Sequence, residues 1–236
     1  VEAGLGEDVI ENWGTIRGDV LLDAGANAFN NRQTGVFAPG ALVDLGVGNA
    51  LTNEGVLSPG GAGAVQVTAL TGDIVQGGSG RYLVDVDFGT GASDRVDASG
   101  SMVVAGTVVA NPTVVGTGFS QQFHILHAAG GVTDDGLAAA DTAVVDYSVI
   151  FDPNGQDVHL GAVIDFSGRG TGLNPNQTRI GQGLNLVQAS GVPASMAAGM
   201  AALMSMPTTA DLARAYDQLS PETFGQQLTE AQVASE

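Results

Sequence analysis

A glycine, a short apolar step and a second glycine return through the first third of this chain roughly every 17 to 22 residues, the length scale of a solenoid coil. The copies are Asn12-Trp13-Gly14-Thr15-Ile16-Arg17-Gly18, Gly35-Val36-Phe37-Ala38-Pro39-Gly40, Asn53-Glu54-Gly55-Val56-Leu57-Ser58-Pro59-Gly60-Gly61 and Gly72-Asp73-Ile74-Val75-Gln76-Gly77. An alternating pair comes after each of the first three, Val20-x-Leu22, Val43-x-Leu45 and Val65-x-Val67, and Phe29 and Leu51 add a third apolar step before Asn30-Asn31 and Asn53. Alternation at a period of two marks a strand with one buried face. Three short strands per coil, with Gly, Asn and Pro at the corners, predict a β-solenoid. Ile16, Leu22, Phe29, Phe37, Leu45, Leu51, Leu57 and Val67 are expected to point inward and stack coil upon coil, because no coil can cover its own apolar face.

Composition supports elongation. The chain of 236 residues carries 36 glycines and only 5% aromatic residues, which suits repeated corners better than an interlocked globule. Seven basic against 25 acidic side chains give a net charge of −18, a field that repels nucleic acid and anionic membranes. Cysteine is absent, so disulfides and thiolate metal sites are excluded, which suits a cytosolic and a secreted protein equally. Val1-Glu2-Ala3-Gly4-Leu5-Gly6 has neither a basic nor an apolar leader region and reads as a coil already under way. The apolar run Val192 to Met206 is shorter than the roughly 20 residues that span a bilayer, and no transmembrane segment is expected.

Beyond residue 77 the strands lengthen: Tyr82–Phe88, Ser101–Val109, Phe119–His127, Ala143–Phe151 and Asp157–Phe166. In the last, Val158, Leu160, Ala162, Ile164 and Phe166 share one parity, with His159 and Asp165 on the other. Gly130-Gly131-Val132-Thr133-Asp134-Asp135-Gly136 and Asp152-Pro153-Asn154-Gly155 read as loop or turn, so hairpins are expected to replace simple coils here and to cover the exposed end of the stack. At Asn174-Pro175-Asn176-Gln177 the period changes. A capping residue, proline at the first helical position and glutamine at the third predict a helix start. Ile180, Leu184 and Val187 continue at helical spacing, Pro193 and Pro207 punctuate the later segments, Leu212, Tyr216 and Leu219 form a second stripe, and Ser220-Pro221-Glu222 opens another helix. Residues 174–236 are expected to be a helical tail, its alanines and glycines suited to close packing.

No chemical signature emerges. His124 and His127 are three apart, on opposite faces of a regular strand, and are read with His159 as structural or solvated. No Gly-x-Ser-x-Gly elbow marks a nucleophile. The pairs Asp85/Asp87, Asp94/Asp97 and Asp134/Asp135 offer carboxylates for calcium or for polysaccharide cleavage, but read first as a solvated outer face. Gly77-Gly78-Ser79-Gly80 lacks the lysine of a phosphate loop. Met196, Met200, Met204 and Met206 read as helix packing surface. The expectation is therefore a protein without enzymatic activity and without catalytic, cofactor or metal residues.

The Asn-x-Gly-x-apolar coils, the run Gly80-Arg81-Tyr82-Leu83-Val84-Asp85-Val86 with Ser93-Asp94-Arg95-Val96-Asp97-Ala98-Ser99-Gly100, and Asn174-Pro175-Asn176-Gln177 with Tyr216-Asp217-Gln218-Leu219-Ser220-Pro221-Glu222 together resemble the passengers of Gram-negative autotransporters, type V secretion proteins. The resemblance runs from about Asn12 to Phe224 and implies a right-handed parallel β-helix over 1–77. It further implies a hairpin cap or autochaperone junction over 78–168 and a helical linker over 169–236. The implied role is that of a stem that templates its own folding and is displayed at the cell surface. Its implied partners are an outer-membrane β-barrel of the same protein and the barrel-assembly machinery, with a host surface protein or glycan beyond them. Two alternatives come from other classes. One is a β-helical carbohydrate-active enzyme, for which Arg17, Arg32 and Arg81 are the candidate basic residues; the other is an adhesin that binds through a flat solenoid face.

Overall fold

Residues 1–168 and 172–219 are described by a computed structural model of the chain. The glycine-cornered repeats form a parallel β-solenoid of about four turns, each giving one short strand to each of three stacks. Val9–Asn12 (β1), Thr15–Arg17 (β2) and Val20–Leu21 (β3) make the first turn; Ala28–Asn31 (β4), Val36–Ala38 (β5) and Leu42–Asp44 (β6) make the second. Ala50–Asn53 (β7), Val56–Leu57 (β8) and Val67–Thr71 (β9) make the third, then Asp73–Gln76 (β10), Arg81–Asp87 (β11) and Arg95–Ala98 (β12) the fourth. Pairing between turns is parallel in all three stacks.

The stacking passes residue 77 without a break. Met102–Val114 (β13) pairs first with β10 and then with β11, while Ser120–Ala128 (β14) pairs with β12, all parallel. The corner survives inside β13 as Gly106, at φ 80, where an added Cβ would land on the carbonyl oxygen of Gly80. Val132–Ala139 (β15) adds in parallel to β13. This strand occupies much of the stretch expected to be loop. Its Asp134, Asp135 and Gly136 are exposed, so it carries little apolar patterning, and the neighbouring strand supplies its order. Val145–Phe151 (β16) and Asp157–Ile164 (β17) pair antiparallel, and β17 lies antiparallel to β14 on its other edge.

The core is a column of side chains along the solenoid axis. Leu22, Phe29, Phe37, Leu45, Leu51 and Leu57 are buried as expected, and the Phe29 and Phe37 rings stack with centroids 4.4 Å apart. Ile16 is only partly buried, packed against that core. Val67 points outward, because β9 turns Thr68 and Leu70 inward, in register with Val96 and Ala98 of the next turn. The Val65-x-Val67 pair is thus one residue out of phase.

One corner carries a buried amide ladder. Asn12 Nδ2 donates to Asn31 Oδ1 at 2.7 Å, Asn31 Nδ2 to Asn53 Oδ1 at 2.7 Å, and Asn53 Nδ2 to Gln76 Oε1 at 3.0 Å; Gln76 Nε2 ends the chain on the Ala105 carbonyl at 2.8 Å. A buried amide is costly unless paired, and here neighbouring turns pair one another's.

The tail is helical where described: Pro175–Ser190 (α1), Ala194–Met204 (α2) and Thr209–Leu219 (α3). Asn174 caps α1 in a reciprocal box with Gln177, with proline in the first turn, as the sequence predicts. Leu212 and Tyr216 turn inward from α3, whereas Leu219 is exposed. The Tyr216 hydroxyl donates to the Phe166 carbonyl at the end of the β17 segment, and Gln188 Nε2 donates to the Gly118 carbonyl, so the helices are tied to the sheet end. The helix expected from Ser220-Pro221-Glu222 lies outside the described residues.

Candidate functional site

All three histidines of the chain meet on the outer face of the seven-stranded sheet. Simple alternation puts His124 and His127 on opposite sides; the structure puts them on the same side. The cause is a bulge in β14: His124 faces His159 and Leu126 faces Val158 across the pair with β17, leaving Ile125 as the extra residue. Ile125 and Leu126 both go into the core, and the parity of everything after them is reversed. His127 then stands opposite Asp157.

His127 Nδ1 lies 2.6 Å from Asp157 Oδ1, and His124 Nε2 lies 3.0 Å from the same oxygen. Asn154 Nδ2 donates to the other carboxylate oxygen at 2.6 Å. Hydrogen bonding from His127, then from Asn154, pulls the Asp157 carboxyl down to about 2. The His159 ring stacks on His124 at 4.8 Å, and its Nδ1 lies 3.5 Å from Asp152. From β12, Arg95 is held by both carboxylate oxygens of Asp97, at 2.6 and 2.8 Å, and its Nη1 lies 3.4 Å from His124 Nδ1.

Chemically, the cluster is a pair of imidazoles sharing one carboxylate oxygen. The ligand atoms of His124, His127 and Asp157 all lie within 4.8 Å of one another, the only such group of histidine and acidic side chains among the described residues. An aspartate–imidazole pair is also half of a nucleophile-activating relay, but among the described residues no serine or threonine hydroxyl is bonded to these rings. Asp157 escapes a sequence reading that looks for paired acids. The one signal available is that it shares parity with His159.

Along the same face runs a groove of about 600 Å³, lined by Ser120, Gln121, Gln122, Ser148, Ile150 and Gly161. Gly161 makes the dip, since a Cβ there would press on Ser148 and Ile150.

The acidic pairs are not equivalent. Asp85 and Asp94, expected on a wet face, are buried. Asp85 Oδ2 accepts from the Gly63 and Ala64 N–H groups at 2.5 and 2.8 Å and its Oδ1 from Asn111 at 2.6 Å; Asp94 accepts from the Gln66 and Asp85 N–H groups at 2.7 and 2.9 Å. They clamp the long loop between β8 and β9. Burial pushes Asp94 up to about 7 against those two N–H bonds. Asp87 and Asp134 instead cap their own turns. The arginines do not converge: Arg32 is paired with Glu11 and Glu54, Arg17 is in register with Ala38, and Arg81 is in register with Val56.

Comparison with models of known protein families gives no match, and comparison with curated proteins gives none.

Proposed function

We propose that this chain is the stem and folding junction of an autotransporter passenger: a right-handed β-helix, a hairpin cap over its last coil and a helical linker leading toward an outer-membrane β-barrel. The observation that carries this is the order of the parts. Parallel pairing runs from β1 to β15, the antiparallel pair β16–β17 extends the sheet from β14, and three helices come after, the first of them capped.

The physics suits that role. A cysteine-free chain of net charge −18 resists premature collapse and cross-linking during export. Coils added one by one onto a finished end bury apolar surface at each step, which supplies direction without nucleotide hydrolysis. On this reading the protein is displayed on the surface of a Gram-negative cell, its partners are the barrel and the barrel-assembly machinery, and its work is mechanical rather than catalytic.

Refolding kinetics test the junction. Deleting residues 78–168 should slow or abolish folding of the coils before them, and unchanged kinetics reject the role. For export, the chain is placed between a secretion signal and an outer-membrane barrel, and protease accessibility on whole cells should show it at the surface; retention in the periplasm rejects the secretion reading.

The polar groove beside Gly161 favours one second reading, a face that binds a host glycan or protein. Its test is a glycan array probed with the native chain and with a Gly161→Leu variant that fills the dip. Loss of a glycan signal in the variant supports it.

A further inference from the structure

The bulge at Ile125 places two imidazoles and one carboxylate around a single point on the outer face. We propose that His124, His127 and Asp157 bind one divalent transition-metal ion of the zinc class, tying β14 to β17.

Zinc is held by imidazole nitrogen at about 2.0–2.1 Å and by carboxylate oxygen at about 2.0–2.2 Å, so tetrahedral donors stand roughly 3.3 Å apart. The two imidazole–carboxylate separations here are 3.0 and 2.6 Å, and no pair in the group exceeds 4.8 Å. Small rotations of the two partly exposed imidazoles would bring these separations to that spacing. Asp157 is prepared as a ligand: Asn154 holds one oxygen and leaves the other to the ion. The neighbouring positive charge, Arg95, is met by Asp97 through two nitrogens. Three protein donors at a half-open surface leave a fourth position to water, and imidazole selects zinc, nickel or copper over calcium. Binding here is independent of how the chain reaches its destination.

The test titrates Zn²⁺ into the whole chain by calorimetry in millimolar Ca²⁺, which occupies the chain's many other carboxylates. One equivalent should bind, the unfolding temperature should rise with zinc, and Co²⁺ should give the visible bands of a four-coordinate site. His127→Gln and Asp157→Asn should weaken binding by at least about tenfold. His159→Gln, which removes a ring stacked on His124 but none of the three donors, should leave the affinity unchanged. Circular dichroism checks that each variant is folded. In the unsubstituted chain, ring proton signals of His124 and His127 should move on zinc addition, whatever the variants do. Absence of saturable zinc binding in calcium, equal affinity in the native chain, His127→Gln and Asp157→Asn, or a loss in His159→Gln matching that in His127→Gln overturns the assignment.

Discussion

Asn31 stands between Asn12 and Asn53 as acceptor on one side and donor on the other, at 2.7 Å in both directions, with its side chain sealed from water. Its Nδ2 also reaches the Val56 carbonyl at 2.9 Å. Asn31→Ala therefore leaves several buried polar groups short of partners. At about 1–3 kcal/mol for each unsatisfied group, a loss of roughly 3 kcal/mol is expected, whereas Asn12→Ala, which breaks one buried bond of the ladder and two part-buried bonds with the Val36 carbonyl and the Gly14 N–H, should cost about 2 kcal/mol. Urea unfolding midpoints of the two variants measure the difference, and equal costs would show that the ladder does not act as a connected unit.

Corner glycines separate into two kinds. At Gly106 the backbone has φ 80 and a Cβ would strike the Gly80 and Gly77 carbonyls; at Gly14 an added Cβ meets nothing within 4 Å. Gly106→Ala should cost about 3 kcal/mol, and Gly14→Ala less than about 0.5 kcal/mol. Thermal unfolding of both variants decides it.

Asp94, pushed up to about 7 chiefly by burial, sets a pH dependence. The folded chain holds this proton more tightly than the unfolded chain, whose carboxyl titrates near 3.8. The stabilising contribution is therefore full below about pH 4 and is lost as pH rises through about 7. Between about pH 5 and pH 8 the native chain should lose about 1–3 kcal/mol more stability than Asp94→Asn, which cannot titrate. Denaturant unfolding at the two pH values gives the answer, and parallel pH profiles would refute it.

Tyr216 anchors α3 to the end of the β17 segment, buried and donating its hydroxyl to the Phe166 carbonyl. Tyr216→Phe should cost about 1 kcal/mol and Tyr216→Ala about 3–5 kcal/mol. Hydrogen exchange resolves where the loss falls. Faster exchange in α3 with unchanged protection in β4 and β7 is expected, since the solenoid turns do not depend on that contact.

What was legible in the amino-acid order is what repeats locally. Glycine spacing revealed the coils, parity found Leu22, Leu45 and the Val158–Phe166 face, and Asn174-Pro175-Asn176-Gln177 revealed a helix start. What escaped depends on distant partners or on a break in alternation. Parity counting cannot see that Ile125 and Leu126 both point inward, so it separates two histidines that in fact adjoin. Asp85 and Asp94 read as surface acids because the N–H groups that satisfy them belong to Gly63, Ala64, Gln66 and Asp85 backbone, and backbone donors leave no trace in side-chain identity. The strand at Val132–Ala139 takes its order from β13 rather than from its own pattern.

The amide-bearing corner stays aligned although the chain between its members lengthens, from 19 residues between Asn12 and Asn31 to 22 and then 23. Length variation is thus tolerated away from that corner, most visibly at the exposed Ala62–Val65 tip between β8 and β9. Foreign peptides grafted at the exposed Val47 tip between β6 and β7, clear of the Asp85 clamp on Gly63 and Ala64, would ride on a scaffold whose alignment is set elsewhere. One residue inserted inside Ala28–Asn31 would instead swing Phe29 and Asn31 to opposite sides and forfeit both aromatic column and amide seam at once.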